Sequence, residues 1–126
     1  MDDRATWLKC WVDRDGTIAL VRSRGEIDAF TAGDLGHCFG KALAGAPSQV
    51  VIDLSEVTFM DGSGLRLLER FQRECRDRGL VVGLARPAPH IRRLLELVEM
   101  DGVLPVLDSA SHAPDGASVR AMSDPR

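Results

Sequence analysis

The chain has 126 residues, a formal net charge of −3 and 44% apolar residues, which is one domain's worth of chain with enough apolar side chains for a modest core. So mild an acidic balance gives no electrostatic case for nucleic-acid binding, and any partner is expected to be protein. Met1-Asp2-Asp3-Arg4 is polar, and no apolar run approaches the roughly 18 residues that a membrane span needs, so a cytoplasmic location without a membrane partner is expected.

Cys10, Cys38 and Cys75 are widely separated and never in C-x-x-C spacing, and His37, His90 and His112 stand alone. That pattern predicts neither a disulfide framework nor a zinc site, and the cysteines read as small core residues.

In chain order, Trp7 to Val12 partly alternates apolar with polar residues, and Asp13-Arg14-Asp15-Gly16 supplies turn chemistry before a second such run from Thr17 to Val21. This predicts a β-hairpin whose second strand continues through Gly25-Glu26-Ile27-Asp28. Thr31 is placed to cap a first helix, with Asp34 three residues on in a capping-box position. Leu35, Phe39, Ala42 and Leu43 mark its buried side, and Gly45-Ala46-Pro47 ends it. Val50-Val51-Ile52-Asp53-Leu54 is short, β-branched and almost uninterrupted, as a strand buried on both faces requires.

Phe59-Met60 then leads into Asp61-Gly62-Ser63-Gly64, a polar, glycine-rich corner that opens a second helix. Asp61 is a good capping residue, and Ser63 falls in the first turn, where N–H groups lack intrahelical partners and the potential is positive. Leu65, Leu68, Phe71 and Cys75 predict the inner stripe of this helix, with Leu67 at its edge, and Gly79 is placed to end it. On the outer side Glu69 with Arg73 and Arg70 with Glu74 are predicted ion pairs. Arg66, Arg70 and Arg73 share one side next to Ser63. They read either as ordinary solvated surface or as a docking patch for an acidic partner.

Leu80 to Ala85 is a further buried strand, making a right-handed βαβ unit with the Val50 strand. Arg86-Pro87-Ala88-Pro89 starts a third helix with Ile91, Leu94, Leu95 and Val98 inward; Asp101-Gly102 closes it and Leu104 to Leu107 forms a last strand. From Asp108 the composition turns to Ser, Ala, Pro, Asp and Gly, so residues 1–107 read as one domain and 108–126 as a flexible tail. The expected fold is α/β, in the order β-β-α-β-α-β-α-β, with a mixed sheet and helices mainly on one face.

The run from Val50 to Leu65 resembles the signature of the STAS domain of bacterial anti-anti-sigma factors: an apolar strand, a Phe-Met pair, then Asp-Ser-Ser-Gly-Leu or a close variant, here Asp61-Gly62-Ser63-Gly64-Leu65. Gly25-Glu26-Ile27-Asp28 is similar to the Gly-Glu-Leu-Asp element that precedes the first helix of that family. The resemblance implies a STAS fold, phosphorylation at Ser63, and a site role for Asp28 beside the phosphoacceptor loop. Read from the residues alone, Asp28 equally fits a carboxylate that satisfies loop N–H groups. The resemblance further implies an anti-sigma factor antagonist. Unphosphorylated, it would bind an anti-sigma factor that is also a serine protein kinase of the histidine-kinase-like ATPase type, and so release a sigma factor. Asp28, Asp61, Gly62, Ser63, Gly64, Arg66 and Arg70 would form the partner surface, and a serine phosphatase is a further implied partner.

No phosphate-cradling loop or dinucleotide fingerprint is present, so no cofactor is predicted and ATP would be bound by the partner. Three alternatives stay open. Asp61-Gly62-Ser63-Gly64 could be a helix cap without chemistry, or the chain could be a STAS docking subunit of a transporter or lipid-trafficking complex that is never phosphorylated. A serine hydrolase is the third, but a nucleophile elbow would need glycines where Asp61 and Leu65 stand.

Overall fold

Asp15 and Ile18 oppose each other across Gly16-Thr17, so the first two strands, β1 (Leu8–Asp15) and β2 (Ile18–Ile27), close on a two-residue turn with Gly16 at φ +61°. The computed structural model describes residues 7–100 and 104–107. After this antiparallel hairpin every strand is added in parallel through a helix: α1 (Ala32–Ala44), β3 (Gln49–Met60), α2 (Gly62–Asp77), β4 (Val81–Ala85), α3 (Pro89–Leu97) and β5 (Val106–Leu107). The result is a five-stranded mixed sheet in the order β1-β2-β3-β4-β5. Because the strands follow in sequence and parallel crossovers are right-handed, α1, α2 and α3 share one face.

Alternation along the central strands divides the core. Ala19, Val21, Val50, Ile52, Val82 and Leu84 pack with Leu35, Phe39, Leu68, Phe71, Ile91 and Leu95 from the helices. Ile18, Leu20, Val51 and Ala85 form a smaller cluster on the opposite face. The rings of Phe39 and Phe71 stack at 3.9 Å between α1 and α2. Arg14 ties the hairpin to α1 by donating to Lys41 O at 2.8 Å and Ala42 O at 3.3 Å, a cation at the helix end where carbonyls lack partners.

Several details depart from the expected ones. The strand expected over 50–54 runs to Met60, because Glu26 and Ile27 of β2 pair with Phe59 and Met60 after two register shifts. Gly25 lies beside one of these shifts at φ +119°, with the carbonyl of Trp7 where a Cβ would be. On α2 Leu67 is buried and Leu65 only partly so, which moves the inner stripe to Gly64, Leu67, Leu68, Phe71 and Cys75. Glu74 pairs with Arg78 at 3.0 Å, and neither expected pair on that helix closes among the described residues. Val98, expected inward, is exposed and caps α3. The helix therefore ends at Leu97, short of the Asp101-Gly102 expected to close it; those two residues and the tail 108–126 lie outside the described residues.

Cys38 and Cys75 are buried and Cys10 is partly so. Burial, reinforced by the Cys38 thiol, pushes Cys10 up to about 12, and burial pushes Cys75 up to about 11, so both favour the thiol over the thiolate. Among the described residues no helix is long and apolar enough to cross a membrane, and no group of three or more His, Cys, Asp or Glu could hold a metal ion.

Candidate functional site

Two loops meet where β2 and β3 end side by side, and Asp61 N donates to Ile27 O at 3.1 Å to hold them together. Asp61 is the N-cap of α2, with extended backbone (φ −115°, ψ −166°) and a carboxylate that accepts from Ser63 N at 2.9 Å and Gly64 N at 3.4 Å. Two N–H groups at the helix start are thereby already engaged. Gly64 is buried, and a Cβ there would stand 2.6 Å from Met60 Cγ and 2.8 Å from Ile27 Cγ2. The glycine lets α2 start hard against both strands, so its contribution to the site is closeness and not contact with a partner.

Ser63 is partly buried and lines an open cavity of about 310 Å³ with Ala29, Ala32 and Gly33 on one side and Arg66, Leu67 and Arg70 on the other. Gly62 is exposed, and Arg66 folds back over it, its Nη1 3.3 Å from the position a Cβ would take. A larger residue at 62 would push the guanidinium aside. Arg70 faces the same cavity, whereas Arg73 is exposed and does not line it. Among the described residues neither Arg66 nor Arg70 has an ion-pair partner.

The facing loop is built by Asp28. Its Oδ1 accepts from Phe30 N at 2.9 Å and Thr31 N at 3.1 Å, and the Thr31 hydroxyl donates to Glu26 O at 2.8 Å. Thr31 is thus the N-cap of α1 by position, but its hydroxyl turns back into the loop and makes no capping bond. Asp28 is buried and its carboxylate is engaged, so it shapes the loop from beneath. What this loop presents is Phe30, 70% exposed, while Phe59 at 47% stands just before the cap. Phe59 enters the sequence reading only as half of the Phe-Met pair, and neither aromatic reads there as exposed, since nothing local distinguishes an exposed phenylalanine from a core one.

A second polar cluster, also missed, lies on the other face of the sheet. Asp53 Oδ2 accepts from Arg86 Nη2 at 2.6 Å and Arg22 Nη1 at 3.1 Å, and Arg22 also pairs with Asp13 at 2.7 Å. Burial pushes the Asp53 carboxyl up, but the Ser55 N–H and the Arg86 guanidinium outweigh it and hold the group below its ordinary value. The one available signal was a carboxylate inside the apolar run Val50 to Leu54.

The STAS domain profile matches residues 12–113, and the chain belongs to the STAS domain family. The anti-sigma-F factor antagonist RsfB of Mycobacterium tuberculosis is 41% identical over 56 residues, a stretch covering 44% of this chain and only 45% of RsfB. RsfA of the same organism, likewise an anti-sigma-F factor antagonist, is 29% identical over 101 residues, 79% of each chain. The crystal structure of an anti-sigma factor antagonist from Mycobacterium paratuberculosis superposes with a TM-score of 0.78 at 27% identity, over 96% of this chain and 98% of that one. The chain is therefore a distant homologue of anti-sigma factor antagonists, and it shares their α/β fold.

Proposed function

We propose that this chain is an anti-sigma factor antagonist that binds an anti-sigma factor and so releases a sigma factor, and that phosphorylation of Ser63 ends the binding. The observation that carries the reading is Ser63 itself, in the first turn of α2, lining an open cavity with Arg66 and Arg70 and with exposed Phe30 and Phe59 on the adjoining segments. Aromatic side chains and arginines are the residues that dominate protein interfaces, and the arginines suit an acidic partner surface. The names of RsfA and RsfB supply the class of partner.

In this reading the partner is a serine kinase of the histidine-kinase-like ATPase type. Ser63 Oγ bonds to the γ-phosphorus of the partner's ATP, the bond to the departing ADP breaks, and the hydroxyl proton is released. A serine phosphatase would reverse the step. About two negative charges then stand where an acidic partner surface had met arginine, which opposes docking through repulsion and desolvation. Among the described residues, those that line the Ser63 cavity include no histidine, which weighs against a hydrolase.

Copurification from the native cell followed by mass spectrometry tests the partner and the acceptor together. An anti-sigma factor kinase in the complex and phosphate on Ser63 are the expected results, with Ser63→Ala keeping the complex and losing the label. Labelling elsewhere would reject Ser63, and recovery of membrane ATPase components without phosphate would favour a docking subunit of a transporter or lipid-trafficking complex.

A further inference from the structure

We propose that Arg66 and Arg70 form a built-in receptor for the phosphoryl group on Ser63, so that the modification occupies the very cations that the unmodified domain offers to its partner. This rests on the reading of Ser63 as phosphoacceptor and names what the phosphate would bind. Ser63, Arg66 and Arg70 stand at i, i+3 and i+7 of one helix, on one side, with the arginines about 4.5 and 10.5 Å further along the axis. Side chains on a helix lean toward its N-terminus, which carries both guanidiniums back toward the serine. Arg66 shows this directly, with Nη1 lying over Gly62. All three residues line the same cavity, which is open toward solvent and, among the described residues, walled on the other side by the small residues Ala29, Ala32 and Gly33.

The helix N-terminus alone would not hold the phosphate. The N–H groups of Ser63 and Gly64 donate to the Asp61 carboxylate, so a phosphoryl dianion could take them only by displacing a like charge. Asp61 at the cap opposes the new charge, and Arg66 and Arg70 are the cations lining the cavity, among the described residues, that offset it. Arginine suits the task, since its planar fork meets phosphate oxygens through two parallel N–H bonds. Two guanidiniums against a dianion cancel, and a cationic docking patch becomes a neutral one without any change of fold.

The test uses the full chain with phosphoserine installed at position 63 during synthesis, and follows the phosphate by phosphorus NMR through a pH titration. An unpaired serine phosphate has a second pKa of about 6. The receptor should lower it by about one unit, through charge pairing in a partly desolvated cavity. The double variant Arg66→Gln, Arg70→Gln should bring it back to the unpaired value or above, while Arg73→Gln leaves the depression intact. A wild-type phosphate that titrates at the unpaired value or higher would overturn the receptor, as would a depression that survives the double variant. All three arginines are exposed, so the variants should fold, and unchanged melting temperatures check this. No kinase or anti-sigma factor enters the measurement. Failure to find a partner in the cell would therefore count against the proposed function alone, and an unshifted phosphate against the receptor alone.

Discussion

Gly64→Ala separates what helix propensity demands from what the packing of this fold demands, because the two give opposite signs. Alanine in place of glycine within a helix adds about 0.8–1.0 kcal/mol of stability, and somewhat less in the first turn. The added Cβ would, however, stand 2.6 Å from Met60 Cγ and 2.8 Å from Ile27 Cγ2, about 1 Å inside ordinary carbon contact. Met60 can swing, but Ile27 is β-branched and fully buried, so the start of α2 must lift from the sheet. Such overpacking costs about 1–3 kcal/mol, so after the gain in propensity the net change runs from near zero to a loss of about 2 kcal/mol, in place of the gain that propensity alone would give. In thermal unfolding this is a drop of up to roughly 10 °C for a domain of this size. Gly40→Ala in α1 is the control, since its Cβ meets nothing within 4 Å and the variant should gain about 1 kcal/mol. If Gly64→Ala matched that gain, the close approach of α2 to β2 and β3 would be wrong, and with it the placement of Ser63.

Asp61→Ala should lower stability in urea unfolding by about 1 kcal/mol through loss of the cap on Ser63 and Gly64, and Asp61→Asn by less. Reversing Arg66 and Arg70 together to Glu should weaken the partner complex at least tenfold in calorimetry while leaving the melting temperature almost unchanged, since both side chains are exposed; unchanged affinity would return them to plain solvated surface. Asp53→Ala strands the guanidiniums of Arg22 and Arg86 and should cost about 2–3 kcal/mol, less than a fully buried pair because both arginines keep some solvent. The Asp53 carboxyl is held below its unfolded value of about 3.9, so its stabilisation is complete above that pH and is lost as pH falls through the lower folded value. Stability measured against pH should accordingly show an acid limb that is shallower in Asp53→Asn.

The elements that the residues announce locally are those where the physics is local. The end of α1 at Gly45, the Asp61 cap and the departure of the chain at Gly79 each depend on a few neighbouring residues, and each stands where the sequence places it; the hairpin is legible too, but Asp13 to Asp15, expected in the turn, pair as strand and the turn falls at Gly16-Thr17. The apolar runs at Val50 and Leu80 become parallel neighbours for a similar reason, since a strand without polar alternation must be covered on both faces. The position of Ser63 in the first turn of α2 was legible because a cap followed by a hydroxyl is a local pattern.

Depth and cross-strand partnership are not local, and only the tertiary structure decided them. The last residues of β3 lack a buried-strand pattern and become strand because Glu26 and Ile27 lie beside them. In sequence Asp28 reads as a site residue or a loop support, and Asp53 only as part of a buried strand. Folding turns the first into a loop support and the second into the anchor of two arginines, because register sets Arg22 beside Asp53 and the turn after β4 brings in Arg86. The cavity at Ser63 needs the loop after β2 to face the first turns of α2, segments about thirty residues apart in the chain. Periodicity and capping act over one or two turns of chain and so can be read from it, whereas burial and charge pairing depend on which distant segment arrives alongside.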